Sequence, residues 1–120
     1  MTTLAVAIAG AIGAVVRYRI GVAVGVRSFP WATLAINITG CFVLAFVLAG
    51  PGAQRWSVPT TTTVAVGLLG GYTTFSTFGY ETFTLMRTGQ PAVAMVYVAT
   101  SVVGGLVAAA LGYLAGRAVA

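Results

Sequence analysis

The stretch of the chain richest in chemistry is Gly70-Gly71-Tyr72-Thr73-Thr74-Phe75-Ser76-Thr77-Phe78, a glycine pair followed by three threonines, a serine and two phenylalanines inside an otherwise apolar run. Glycine and β-branched residues are poor helix formers, so a helix carried through this stretch is expected to break near Gly70–Phe75. A break frees backbone carbonyls and amides. A membrane tolerates such groups only where they are buried in protein or line a water-filled cavity, and broken helices there commonly hold ions. The competing reading is a continuous helix whose threonines bond back to their own carbonyls. Where helix resumes, Phe75 and Phe78 are three apart and share a face, with Ser76 and Thr77 alongside. Aromatic rings carry positive edges, so ring edges beside hydroxyls make a surface for a small anion that meets no fixed positive charge. The bland alternative for the pair is packing or lipid contact.

Two more polar residues stand out. Asn37 lies seven residues after Pro30, roughly 10 Å into a helix that rises about 1.5 Å per residue. An amide at that depth needs partners, and it serves either as an interhelical hydrogen bond that glues the bundle or as a donor turned into an aqueous pore. Glu81, the single carboxylate, falls near the end of its span and reads as an interfacial charge that reaches water or an arginine. Further on, Gly104, Ala108, Gly112 and Gly116 recur every four residues, which predicts a face where another backbone packs closely. On the adjacent face Tyr97 and Ser101 place two hydroxyls ahead of Gly105, Ala109 and Tyr113.

The elements that position these residues follow from composition. Of 120 residues 59% are hydrophobic, and the formal charges are six arginines and one glutamate. A soluble domain carries about 25% charged residues, so no water-facing surface can be built here. There is no histidine, and Cys41 is the lone cysteine. Metal cages, Ser/His/Asp or Cys/His nucleophile systems and paired carboxylates are thereby excluded, and an enzyme is not expected. The arginines are scattered near helix ends with no basic run, which suits interfacial anchors and not a nucleic-acid surface. Ser28–Gln54, Trp56–Tyr80 and Thr88–Gly116 are uncharged, and each exceeds the roughly 20 residues of a spanning helix. A fourth run from Met1 continues past Arg17 and Arg19; with no basic region ahead of it, it reads as a retained helix and not a signal peptide. The fold class is therefore an all-α membrane protein of four transmembrane helices, expected over 3–26, 30–49, 58–86 and 91–117, with the third broken near Gly70–Phe75. Short loops make neighbours antiparallel and put both termini on one side. Arg55 and Arg117 then face Arg19, Arg27 and Arg87, with Arg17 close by, on the other side. So even a split orients the chain weakly and permits insertion both ways; the competing reading is one fixed orientation with the arginine-rich side in the cytoplasm.

Three segments carry a family resemblance: Gly10-Ala11-Ile12-Gly13-Ala14-Val15-Val16-Arg17-Tyr18, Thr33-Leu34-Ala35-Ile36-Asn37-Ile38-Thr39-Gly40-Cys41-Phe42, and Gly70 to Phe78. In order and spacing the chain resembles the small bacterial fluoride channels, the Fluc family, along all four helices. Ala9, Ala32 and Gly79 depart from its usual residues. The resemblance implies an antiparallel, dual-topology dimer in the bacterial inner membrane, with two fluoride pores along the subunit interface. The partner is a second copy in the opposite orientation, or a paralogue. By similarity Asn37 offers amide donors to fluoride and Phe75 and Phe78 offer ring edges, while Ser76, Thr77, Thr33, Tyr97 and Ser101 supply hydroxyls and Arg17 sits near a pore mouth. It further implies a structural sodium ion at the dimer centre, held by the backbone carbonyls of Gly70 and Thr73. The rival reading, a proton-coupled exporter of the small multidrug-resistance type, needs a carboxylate in the first helix, which has none.

Overall fold

A computed structural model describes Met1–Ala120 and is entirely helical. Helix α1 spans Thr2–Val24 and α2 spans Trp31–Ala49, followed by a single short helix, α3, at Pro51–Gln54. The third track runs through α4 (Val58–Thr62), a π-helical segment at Thr63–Leu69, α5 (Gly70–Tyr72) and α6 (Phe75–Arg87). Helix α7 closes the chain at Pro91–Ala118. Three of these helices, α1, α2 with its α3 extension, and α7, are each long and apolar enough to cross a membrane unbroken; the interrupted track is the fourth.

The boundaries have local causes. Helix α1 stops two residues short of the expected end because Gly25 takes φ 68°, a left-handed value that suits glycine. Pro30 lies just outside α2 and not in its first turn: with φ −76° and ψ 62° it forms an inverse γ-turn in which the Trp31 N–H donates to the Phe29 carbonyl at 2.8 Å. The second helix ends at Ala49 as expected, and Gly50-Pro51-Gly52 bends the chain into α3, where Pro51 fits the first turn. Ser57 caps α4, its Oγ accepting the Thr60 N–H at 3.4 Å.

The break is narrower than expected. Gly70 and Gly71 are helical, and only Thr73 (φ −80°, ψ 160°) and Thr74 (φ −151°, ψ 114°) are extended. Of the pair, Gly71 serves packing, together with Gly67 ahead of it. A Cβ on Gly71 would strike the Gly10 backbone, and one on Gly67 would lie 2.8 Å from the Val6 carbonyl. A Cβ on Gly13 would in turn strike the Leu68 carbonyl. Glycine thus lets α1 and the first half of the third track meet backbone to backbone. The stripe expected on α7 does the same with α2: a Cβ at Gly112 would run into the Phe42 backbone, and one at Gly104 would lie 2.8 Å from the Ile38 side chain.

Two packed pairs result, α1 with the π segment and α5, and α2 with α7; past the break, α6 leaves α1 and packs on α7. Arg55 Nη2 donates to the Val119 carbonyl at 3.3 Å, and Met1 and Thr2 share a groove with Pro59 and Thr60, so both termini lie at one end. At the other end Phe29 meets Tyr97 edge-on at 5.5 Å. Only 18 of 120 residues are buried, which leaves Val102, Leu106 and Leu111 among many large apolar side chains for lipid to cover.

Replacing Gly112 with valine is expected to separate α2 from α7 at a cost of about 3 kcal/mol or more, read as a lower melting temperature of the purified protein in detergent. Gly21→Ala, with nothing within 4 Å of the added carbon, leaves that temperature unchanged.

Candidate functional site

Thr73 is where the third track leaves helix. Its N–H is still paired with the Leu69 carbonyl at 3.0 Å, and its hydroxyl donates to the same oxygen at 3.0 Å. The next N–H, that of Thr74, does not reach back to Gly70. It donates instead to Asn37 Oδ1 at 2.9 Å, while Asn37 Nδ2 donates to the Thr74 carbonyl at 3.0 Å. One side-chain amide on α2 thus satisfies both backbone groups of one broken residue. The carbonyl of Thr73 accepts no hydrogen bond, and the Gly70 carbonyl is relieved of the Thr74 N–H. Helix then restarts under a side-chain cap: Thr74 Oγ1 accepts the Thr77 N–H at 3.2 Å and donates to Thr77 Oγ1 at 3.0 Å.

Beside the break lies a cavity of about 350 Å³. Asn37, Gly70, Thr73, Phe75, Phe78 and Ser101 all line it, with Thr74 and Cys41. No charged side chain does. Ser101 Oγ is buried and has no hydrogen-bond partner. The cavity opens sideways, since Gly70 is exposed on its rim and Phe75 is 83% exposed. Leu44, Ala65, Leu69 and Val102 make much of its wall apolar, but the polar groups that it exposes sideways at membrane depth need a cover other than lipid.

A second polar cluster lies beyond Phe78. Glu81 accepts from the Thr33 hydroxyl at 3.0 Å through Oε1 and from the Tyr97 hydroxyl at 2.7 Å through Oε2. Thr33 is 5% exposed and Tyr97 fully buried. Glu81 is half-buried and lines a groove with Arg27, and it also takes two neutral donors, because α2 and α7 bring hydroxyls to its height on α6. Rings connect the two clusters. Phe75 and Phe78 have centroids 5.9 Å apart, Phe78 meets Tyr97 edge-on at 5.2 Å, and Tyr97 meets Phe29.

Of the residues singled out from sequence, Asn37, Phe75, Phe78, Ser101, Gly70 and Thr73 share the cavity, Ser76 and Thr77 gather at the Thr74 cap, and Thr33 and Tyr97 hold Glu81. Arg17, half-buried on α1, is not among the cavity residues. Sequence reasoning passed over Thr74, whose signal was a threonine three residues ahead of Thr77, the spacing of an N-cap. It also passed over the inward role of Glu81, which only the pairing of helices reveals.

Comparison with known proteins adds an independent line. Residues 4–113 match the family model described as CrcB-like protein, Camphor Resistance (CrcB). The fluoride-specific ion channel FluC of Nitrobacter winogradskyi is 46% identical over 113 residues, covering 88% of this chain and 89% of its own. FluC 2 of Geobacillus kaustophilus is 45% identical over 121 residues, with 98% and 94% covered, and FluC of Chloroflexus aurantiacus is 42% identical over 118 residues, with 95% and 94% covered.

Asn37→Leu, close in size but without the amide, strands the Thr74 N–H and carbonyl away from water. At about 1–3 kcal/mol for each unsatisfied group, a marked fall in melting temperature is expected, together with faster hydrogen exchange at the Thr74 amide. Unchanged exchange there would mean that the break is held by other contacts.

Proposed function

This chain belongs to the CrcB-like protein family, and from that premise we propose that it is a fluoride channel, a multi-pass protein of the bacterial cell membrane that conducts passively and is not an enzyme. The observation that carries the reading is the uncharged cavity at the helix break, into whose largely apolar wall Asn37, Thr73, Thr74 and Ser101 set a few polar groups. Fluoride is small and holds water tightly, so a pore must replace its hydration with several dipolar donors while avoiding a site deep enough to trap it. The amide of Asn37, the hydroxyls of Ser101, Ser76 and Thr77 and the ring edges of Phe75 and Phe78 meet that need better than buried arginines would. Thr33 and Tyr97 continue the line of hydroxyls toward one end, and Arg17 stands near a mouth. Fluoride crosses membranes as neutral HF, dissociates inside and is trapped; a passive channel lets the membrane potential expel it.

We propose further that two copies in opposite orientation form the working unit, with a paralogue as the other candidate for the partner. The sideways opening of the cavity and the near-even division of arginines between the two ends support this. Each copy contributes one cavity, giving two pores. The carbonyls freed at Gly70 and Thr73 are hard, neutral oxygen donors and fit half of a site for a singly charged hard cation such as sodium. Paired with the same atoms of a second copy, they would hold a structural sodium ion that neutralises otherwise unpartnered carbonyl dipoles. Glycine at position 70 is not required by backbone conformation, since φ −64° and ψ −35° suit any residue, nor by contacts within the chain, where a Cβ would meet its nearest atom at 3.9 Å. Its smallness matters only to something outside the single chain.

Purified protein in proteoliposomes is expected to release fluoride when a potassium gradient and ionophore set the voltage. Phe75→Ile and Phe78→Ile, which keep bulk and lose the ring edge, should slow release by about tenfold or more while the protein stays folded; unchanged release in both would reduce the rings to packing. A pair of C-terminal reporters, one active only in the cytoplasm and one only outside, should both give signal. Signal from one alone would limit the chain to a single orientation and leave the antiparallel pair to a paralogue.

A further inference from the structure

Both contacts that Thr74 makes at the break have a direction. A carbonyl can only accept and an N–H can only donate, so the pair of bonds to Thr74 fixes which way the Asn37 amide faces. One lone pair of the asparagine oxygen takes the Thr74 N–H, one Nδ2 hydrogen goes to the Thr74 carbonyl, and the donor left over is the second N–H. The amide belongs to a side chain that lines the cavity. The Thr74 hydroxyl is fixed in the same manner. Its oxygen accepts the Thr77 N–H at 3.2 Å, and its proton goes to Thr77 Oγ1 at 3.0 Å, nearer than Ser76 Oγ at 3.5 Å. Thr77 Oγ1 therefore receives a proton on one lone pair, and its own O–H has no acceptor in the chain.

We infer that Thr74 is a positioning residue that sets the hydrogen-bond polarity of the anion path, leaving Asn37 and Thr77 to meet an arriving ion as donors. This rests on the fluoride-channel reading and deepens it. Fluoride carries no hydrogen and can only accept. A hydroxyl free to rotate or an amide free to flip would present lone pairs to it as readily as protons, and the ion would have to reorient each group against its other partners. Groups already held by a bond on the acceptor side need no such reorientation, and a cation finds fewer free lone pairs along the same line.

The test uses the full-length chain in proteoliposomes and compares fluoride release for Thr74→Val, Thr74→Ser, Thr77→Val and the Thr74→Val/Thr77→Val double variant, with melting temperatures alongside. Valine suits the extended backbone at position 74. Thr74→Val and Thr77→Val should each slow release by about tenfold, the worth of one hydrogen bond to an anion, while Thr74→Ser stays near the parent rate. Because Thr74 acts through Thr77, the double variant should be no slower than the slower single one. Losses that multiply would assign Thr74 a capping role only and overturn the inference. Should Thr74→Val not fold, Thr77→Val decides alone, since it leaves the Thr77 N–H bond to Thr74 in place: slowed release at an unchanged melting temperature supports the inference, and an unchanged rate overturns it. Absence of fluoride release from the parent chain sinks the channel reading and this one with it, whereas parent release with multiplying losses sinks this one alone.

Discussion

A helix interrupted inside a bilayer must find new partners for the backbone groups it sets free, and here one amide finds them. The reciprocal pair between Asn37 and Thr74 is the contact on which the other features at the break depend. It holds α2 against the third track at one height, keeps the break two residues long, and leaves the Thr73 carbonyl free without leaving the Thr74 N–H stranded. In water either group could turn to solvent. In hydrocarbon each would cost several kcal/mol, so the side chain at position 37 is constrained by backbone geometry thirty-odd residues away.

This settles in part the choice that the sequence left open for Asn37. Within one chain it is glue, and its remaining N–H is what a pore could use. The two roles share one side chain because an amide has more hydrogen-bonding positions than the break consumes.

Four apolar tracks, their antiparallel order and the small-residue stripe of α7 were legible because they follow from length, charge and a four-residue period. The break was legible in kind but not in extent. Poor helix propensity belongs to Gly70 and Gly71 as much as to the threonines, yet both are helical, Gly71 held there by the close approach of Gly10 and Gly70 standing on the open rim of the cavity. The π-helical turns of Thr63–Leu69 left no local signal, since their wider winding is fixed against α1 by tertiary contact. The two hydroxyls on Glu81 were not legible for a related reason: distance from a helix end says nothing about which side of the helix faces hydroxyls on its neighbours. Burial against Thr33 and Tyr97 is a property of three helices together.

The third track belongs to two partners, α1 before the break and α7 after it, and Thr73 and Thr74 are the short extended link between them. A continuous helix would transmit torque along its whole length and lock the two packed pairs into one block. An extended dipeptide transmits almost none. Here the link is itself tied to α2 through Asn37, so the third track changes partner without leaving a loose seam. The same interruption that supplies polar backbone to the cavity thus also lets one track serve two packed pairs, turning from α1 to α7 across a link of two residues.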